Sequence, residues 1–190
     1  MEFNSEHLYF REFEPSDYDR YASVFSNDLV MRYAYMDKTA DVDEMKSNFS
    51  QIIENAGNTG KRDSYEFAVF LSSNSDFIGY ACILVNYHFS RIKFGEIGYF
   101  LLPDYWGKGY ATEIAKSLTD ICFKNLCIHK VAASCNVNNP RSENVMKKIG
   151  MIKEAQLRKE RYKNGQWDDE LRYGILLEEW EGNRKKQAGR

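Results

Sequence analysis

The sequence lacks several features that would narrow its function at once. It has no excess of positive charge: 26 Lys and Arg stand against 28 Asp and Glu, a formal net charge of −2. A nucleic-acid binder usually carries a basic face. The basic run here is terminal, Arg184, Lys185, Lys186 and on to Arg190, so no nucleic-acid partner is expected. There is no CxxC pair. Cys82, Cys122, Cys127 and Cys135 lie within apolar stretches and read as small buried hydrophobes in a reducing compartment. His7, His88 and His129 show no ligand spacing, so no metal is expected. No apolar run approaches membrane-spanning length, and MEFNSEHLYF lacks the charged-then-apolar pattern of a secretory leader. The expectation is a soluble cytoplasmic protein with no membrane partner. Repeats and low-complexity linkers are also missing. With 190 residues, one domain is expected over 1–180, followed by a basic, disordered tail over 181–190.

What is present is a core-forming composition, 43% hydrophobic and 15% aromatic. His7 to Glu14 alternates polar and apolar residues as a strand does. Pro15-Ser16-Asp17 opens a helix to about Phe25. Asp41 and Glu44 have capping-box spacing before a second helix over Val42 to Ala56. Three strands follow with meander spacing: Tyr65 to Leu71, Phe77 to Asn86 and Lys93 to Leu102. Ala111, Ile114, Ala115, Leu118, Ile121 and Cys122 then repeat with helical period. Ile128 to Cys135 reads as a strand, and strand–helix–strand implies a parallel neighbour. Asn139-Pro140 marks a helix start and Gly150 a helix stop. Met151 to Tyr162 and Trp167 to Leu177 form a closing hairpin across KNG. The fold class is α/β (α+β): a mixed, mostly antiparallel sheet with about four helices.

The stretch DYWGKGYATE, Asp104 to Glu113, places two glycines between a strand and an amphipathic helix. A helix N-terminus offers unpaired N–H groups and partial positive charge, and glycines there let a phosphate approach the amides. A tight turn without a ligand explains the same two glycines. The stretch is neither a Walker A loop nor a Rossmann fingerprint, since no GK[ST] follows a four-residue gap and the third glycine is absent.

GEIGYFLLPDYWGKGYATEIAKSL resembles the acetyl-CoA-binding core of the GNAT N-acetyltransferases. NNPRSENVMKKIGMIKEAQLRKERYKNGQWDDELRYGILLEEW and LYFREFEPSDYDRYASVFSNDLVMRY are similar to the RimJ/RimL branch, which acetylates ribosomal-protein N-termini and, in relatives, small amines. The resemblance spans roughly Leu8 to Trp180 and is weakest over Ala34 to Ser64. It implies a twisted, splayed central sheet and acetyl-CoA as cosubstrate. The phosphates would lie on Trp106, Gly107, Lys108, Gly109, Tyr110, Ala111 and Thr112. The pantetheine arm would pair with main-chain groups near Tyr99, Phe100, Leu101 and Leu102, with Asn139 nearby. Asp104 stands where the family pattern begins with Gln or Arg, which removes one helper but not a main-chain cradle.

The resemblance also implies site roles. Many members use a tyrosine four residues before the helix-ending glycine to protonate the leaving thiolate; here it is Met146. The branch has a serine three residues after the strand-end asparagine, matched by Ser142 after Asn139; capping the helical turn is the other role open to it. Glu96, on the central strand, is the candidate base, or else an ion-paired strand residue. A glutamate that some RimL-type proteins carry before the hairpin glycine is Arg161 here. Asp169 matches a GxxxDxxxY pattern with Gly165 and Tyr173, and either holds the hairpin or lines the acceptor site. Arg32 and Tyr33 shape the acceptor pocket or form a local pair. The acidic run Asp37 to Glu44 suits a cationic amine, or simply a helix start. The implied activity is acetyl transfer to a primary amine, on a protein N-terminus or a small molecule, by direct attack on the thioester. The competing reading is a non-catalytic acyl-CoA-binding domain. The branch allows a homodimer, with the last strands pairing across an axis.

Overall fold

The computed structural model describes residues 1–34, 41–88, 92–163 and 165–188. The expected acidic run therefore lies partly outside the described residues, as does Asn164 of the hairpin turn. The elements are β1 (Glu2–Asn4), β2 (Leu8–Glu12), α1 (Tyr18–Phe25), α2 (Asp28–Met31), α3 (Val42–Ala56), β3 (Ser64–Leu71), β4 (Phe77–His88), β5 (Ile92–Leu101), α4 (Tyr110–Lys124), β6 (Lys130–Asn136), α5 (Pro140–Lys148), β7 (Ile152–Lys163), β8 (Gln166–Leu176) and α6 (Leu177–Ala188). The strands form one eight-stranded sheet ordered β1-β2-β3-β4-β5-β6-β8-β7. Every neighbouring pair is antiparallel except β5 and β6, which the α4 crossover makes parallel.

Alternation along the strands sorts the core into two layers. Phe10, Phe67, Ile83, Ile97, Val131 and Tyr173 face α4 and α5, meeting Ile114, Leu118, Cys122, Val145 and Met146. Ala68, Phe70, Tyr80 and Cys82 face the other way. There Tyr21, Phe25 and Phe49 from α1 and α3 cover them with an aromatic cluster. Asp41 and Asn139 cap their helices as the sequence signals: Asp41 Oδ1 accepts from Asp43 N–H at 2.8 Å and Asn139 Oδ1 from Ser142 N–H at 3.2 Å; Asn27 Oδ1 caps α2 in the same way, accepting from Leu29 N–H at 3.0 Å.

Among the described residues there are six α-helices, the four expected with the single-turn α2 and the terminal α6 added. One expectation is corrected. The segment expected as a disordered tail is helical as far as Ala188. Trp180 anchors that helix: its ring lies 5.2 Å from Phe123, its indole N–H donates to Asp120 at 2.9 Å, and Arg184 pairs with the same carboxylate at 2.7 Å. Among the described residues no helix is long and apolar enough to cross a membrane.

Candidate active site

β5 and β6 pair at three register positions, Phe94↔Lys130, Gly95↔Val131 and Glu96↔Ala132. Beyond these, β5 continues to Leu101 while paired to β4, and β6 continues to Asn136 while paired to β8. The two strands part, and each arm of the resulting fork is held rigid by its outer neighbour. Successive residues of a strand aim their peptide groups to opposite sides. Leu102 N–H donates to Ile78 O on β4 at 2.9 Å, so Tyr99 and Leu101 turn theirs into the fork. The Leu101 carbonyl, expected to be open to a pantetheine arm, is taken by the Trp106 indole N–H at 2.7 Å. Tyr99 and the Leu101 N–H remain on that side.

The open end of the fork meets the start of α4. Gly107 and Gly109 have φ of 75° and 90°, and a Cβ on either would meet nothing within 4 Å. The chain therefore needs glycine there for its backbone angle and not to make room for the protein's own atoms. Gly109 is the N-cap, and no side chain caps α4, unlike α2, α3 and α5. Lys108 Nζ lies 5.4 Å from the Tyr105 ring centre, and the Arg141 guanidinium lies 5.8 Å from that of Trp106. Two cations thus stand on the aromatic residues that precede the exposed glycine loop, and with the uncapped amides of α4 they make a donor set suited to a pyrophosphate. Arg141 was not among the residues that the sequence singled out. Glu113, the acid of the first turn, is turned aside: it accepts from Ser5 Oγ at 2.6 Å and from His7 N–H at 2.7 Å. Burial works against its charge, but these bonds win and hold the carboxyl below its ordinary value.

On the α4–α5 face, Ser142 sits in the first turn of α5, half-buried beside Tyr99 and Cys135. Burial pushes the Tyr99 phenol up to about 12 and the Cys135 thiol up to about 11. Cys82, on the other face, is pushed up to about 12. These thiols stay protonated near neutrality and are poor nucleophiles. Met146 is buried one turn after Ser142.

On the opposite face, Glu96 stands at the crotch of the fork. Ser134 on β6 donates to its Oε1 at 3.2 Å, while Arg161 donates to Ser134 Oγ at 3.2 Å. The serine hydroxyl thus accepts from the arginine and gives its own proton to Glu96. Arg161 is ion-paired at 2.8 Å with Glu170, both buried, and Arg172 holds the other oxygen of Glu170 at 2.8 Å. Glu66, across from Cys82 on β3, shares this face, and burial raises its carboxyl.

Of the expected acceptor residues, Asp169 ties down the hairpin. It accepts from Gln156 Nε2 at 2.9 Å and from Lys159 N–H at 3.0 Å, bonds that lower its carboxyl and secure the bulge where Lys159 has φ 54°. Arg32 lies over the Tyr33 ring at 5.2 Å. The segment around them is clasped to the hairpin by Lys163 Nζ, which donates to Met31 O at 2.6 Å and Ala34 O at 3.2 Å. Among the described residues no group of three or more His, Cys, Asp or Glu could hold a metal ion.

A sheet that forks around its one parallel pair, with an uncapped glycine helix start at the fork's mouth, defines the acetyltransferase architecture that the sequence resembles. Residues 7–152 match the family model described as "Acetyltransferase (GNAT) domain", and the chain belongs to that family. It is 33% identical over 180 residues to the uncharacterized N-acetyltransferase YnaD of Bacillus subtilis, covering 95% of this chain and 99% of that protein. A GNAT-family acetyltransferase from Bacillus anthracis superposes with a TM-score of 0.76 at 30% identity, over 94% of this chain and 99% of that one. The spermidine N-acetyltransferase of Vibrio cholerae, solved with CoA and spermine, shares the fold with a TM-score of 0.81 at 22% identity, over 93% of this chain and 99% of that one. The chain is an N-acetyltransferase.

Proposed function

We propose that the chain transfers the acetyl group of acetyl-CoA to a primary amine by direct attack, with the reaction at the crotch of the fork. The observation that carries this reading is the junction of two unpaired strand arms with the uncapped, glycine-built start of α4. The α4 amides with Lys108 and Arg141 would hold the pyrophosphate, and the backbone of Tyr99 and Leu101 would pair with the amide-rich arm as a missing strand does. The thioester would then lie between Ser142 on one face and Glu96 on the other. Glu96 takes the proton that the attacking amine loses, and Ser142 donates to the departing sulfur. Burial holds the thiols of Cys82, Cys122 and Cys135 protonated, which favours direct transfer over an acyl-enzyme built on any of them.

The acceptor belongs to one of two classes. A RimJ/RimL-like protein α-amine is supported by the sequence blocks. A small polyamine is supported by the V. cholerae enzyme of the same fold and by Glu66 and Glu96 on the acceptor face. The test is thiol release from acetyl-CoA with a panel of free N-terminal peptides and a panel of polyamines and aminoglycosides, repeated with Ser142→Ala and Glu96→Gln. Release with one panel names the class, and loss in either variant with acetyl-CoA binding intact supports that residue's role. Silence with both panels, in a chain that acetyl-CoA does stabilise, would refute both acceptor classes.

A further inference from the structure

Among the described residues, two buried side-chain polar atoms lack a hydrogen-bond partner, Arg62 Nε and Tyr99 Oη. A buried phenol left without a partner carries a desolvation cost that folding alone does not repay, so such a group calls for a ligand or a functional reason. The ring of Tyr99 leans against the α4–α5 core from the unpaired arm of β5. Ser142 is close enough to favour the phenol's ionised form, yet no hydrogen bond of ordinary geometry joins them. Met146, where many relatives of the resembled family have a tyrosine, follows Ser142 by one turn of the same helix and is buried. This chain therefore lacks the helix phenol and instead brings a partnerless phenol from the strand to the same serine.

We infer that Tyr99 is a catalytic residue whose hydroxyl, beside that of Ser142, donates a hydrogen bond to the sulfur that leaves the acetyl group. The inference rests on the reading of the fork as the acetyl-CoA site. In the step, the amine nitrogen forms a bond to the carbonyl carbon and the carbon–sulfur bond breaks, the sulfur keeping the bonding pair. The amine's proton passes to Glu96 and through water to the sulfur, giving amide and CoA thiol. Tyr99 keeps its proton throughout, because a buried phenol with so high a pKa is a poor acid but a good fixed donor. Two preset hydroxyls would hold the charge developing on sulfur until the amine's proton arrives.

The test is Tyr99→Phe, which removes only the hydroxyl. The expected result is a kcat lower by on the order of 10²-fold, with acetyl-CoA affinity unchanged and thermal stability equal or higher, because an unsatisfied buried group is gone. The ultraviolet thiolate absorbance of bound CoA, titrated against pH, should show the bound thiol's pKa about 1 higher in the variant. An unchanged kcat and an unchanged thiol titration would overturn the proposal. So would a kcat loss matched by lost stability or lost acetyl-CoA affinity, which would make the phenol a packing group. A wild-type chain that acetyl-CoA fails to stabilise would overturn the fork reading first, and this proposal with it.

Discussion

Replacing Gly109 by alanine separates the backbone role of the glycine loop from its proposed ligand role. A Cβ at Gly109 meets nothing within 4 Å, so no clash contributes. The cost comes from φ at 90°, where an L-residue is strained by about 1–2 kcal/mol. For a chain of this size that is a fall in Tm of roughly 2–8 °C. Gly182→Ala is the control of opposite sign: Gly182 lies inside α6, its Cβ also meets nothing, and alanine there should add about 0.5–1 kcal/mol. The ligand role is read by repeating both melts with acetyl-CoA. At a hundred times Kd the wild type should gain about 2.7 kcal/mol, and a tenfold weaker site at the same concentration only about 1.4 kcal/mol. Gly109→Ala should therefore lose stability without ligand and lose about half the ligand's added stabilisation. An unchanged melt would refute the argument from φ. A lowered melt with the full acetyl-CoA increment would refute the cradle.

Glu170→Ala removes the carboxylate that pairs with buried Arg161 at 2.8 Å and should cost about 3–5 kcal/mol in urea unfolding, while Glu170→Ala with Arg161→Met should recover part of that loss. Asp17 is fully buried between Arg11 and Arg20; burial opposes its charge, but the hydrogen bonds to Arg11, Glu14 N–H and Arg20 win and lower the carboxyl. A lowered folded-state value means stabilisation present above the ordinary Asp range and lost as pH falls through the folded-state value. Tm should decline as acid takes the pH below the ordinary aspartate range, and less steeply in Asp17→Asn. Trp180→Ala should release α6 and cost about 2 kcal/mol; retention of full α6 amide protection in hydrogen exchange would contradict the anchoring role.

Much of the fold was legible because its elements announce themselves locally. The apolar period of α4, the Asp41 and Asn139 caps and the strand alternation all depend on near neighbours. β1 escaped because three residues carry no periodicity. α6 escaped because one tryptophan, rather than an apolar stripe, docks a charged helix. The site was less legible. A fork is hydrogen bonds that are not made, and only the family resemblance pointed to it. The Arg161–Glu170 pair and its link through Ser134 to Glu96 could not be read from spacing, since β7 slips register at Lys153/Ala155 and again at Leu157/Arg161. Tyr99 was expected to matter for its backbone; the orphaned hydroxyl depends on what α5 leaves unpaired. Asp169 was expected to hold the hairpin or line the acceptor site, and its contacts are those of the first role.

The two slips in β7 bear on how the molecule meets others of its kind. β7 is the outermost strand on its side, so its free backbone is available for a neighbouring chain to extend. Its ladder is broken twice, and Lys153, Glu154, Arg158, Lys159, Glu160 and Lys163 crowd it with charge of both signs. A strand from a second copy would find no long regular run to zip against. At the other end β1 offers only three residues. The sheet's outer borders are thus poor templates for growth, and the long unpaired backbone lies inside the fork, open to a slender arm and closed to another sheet.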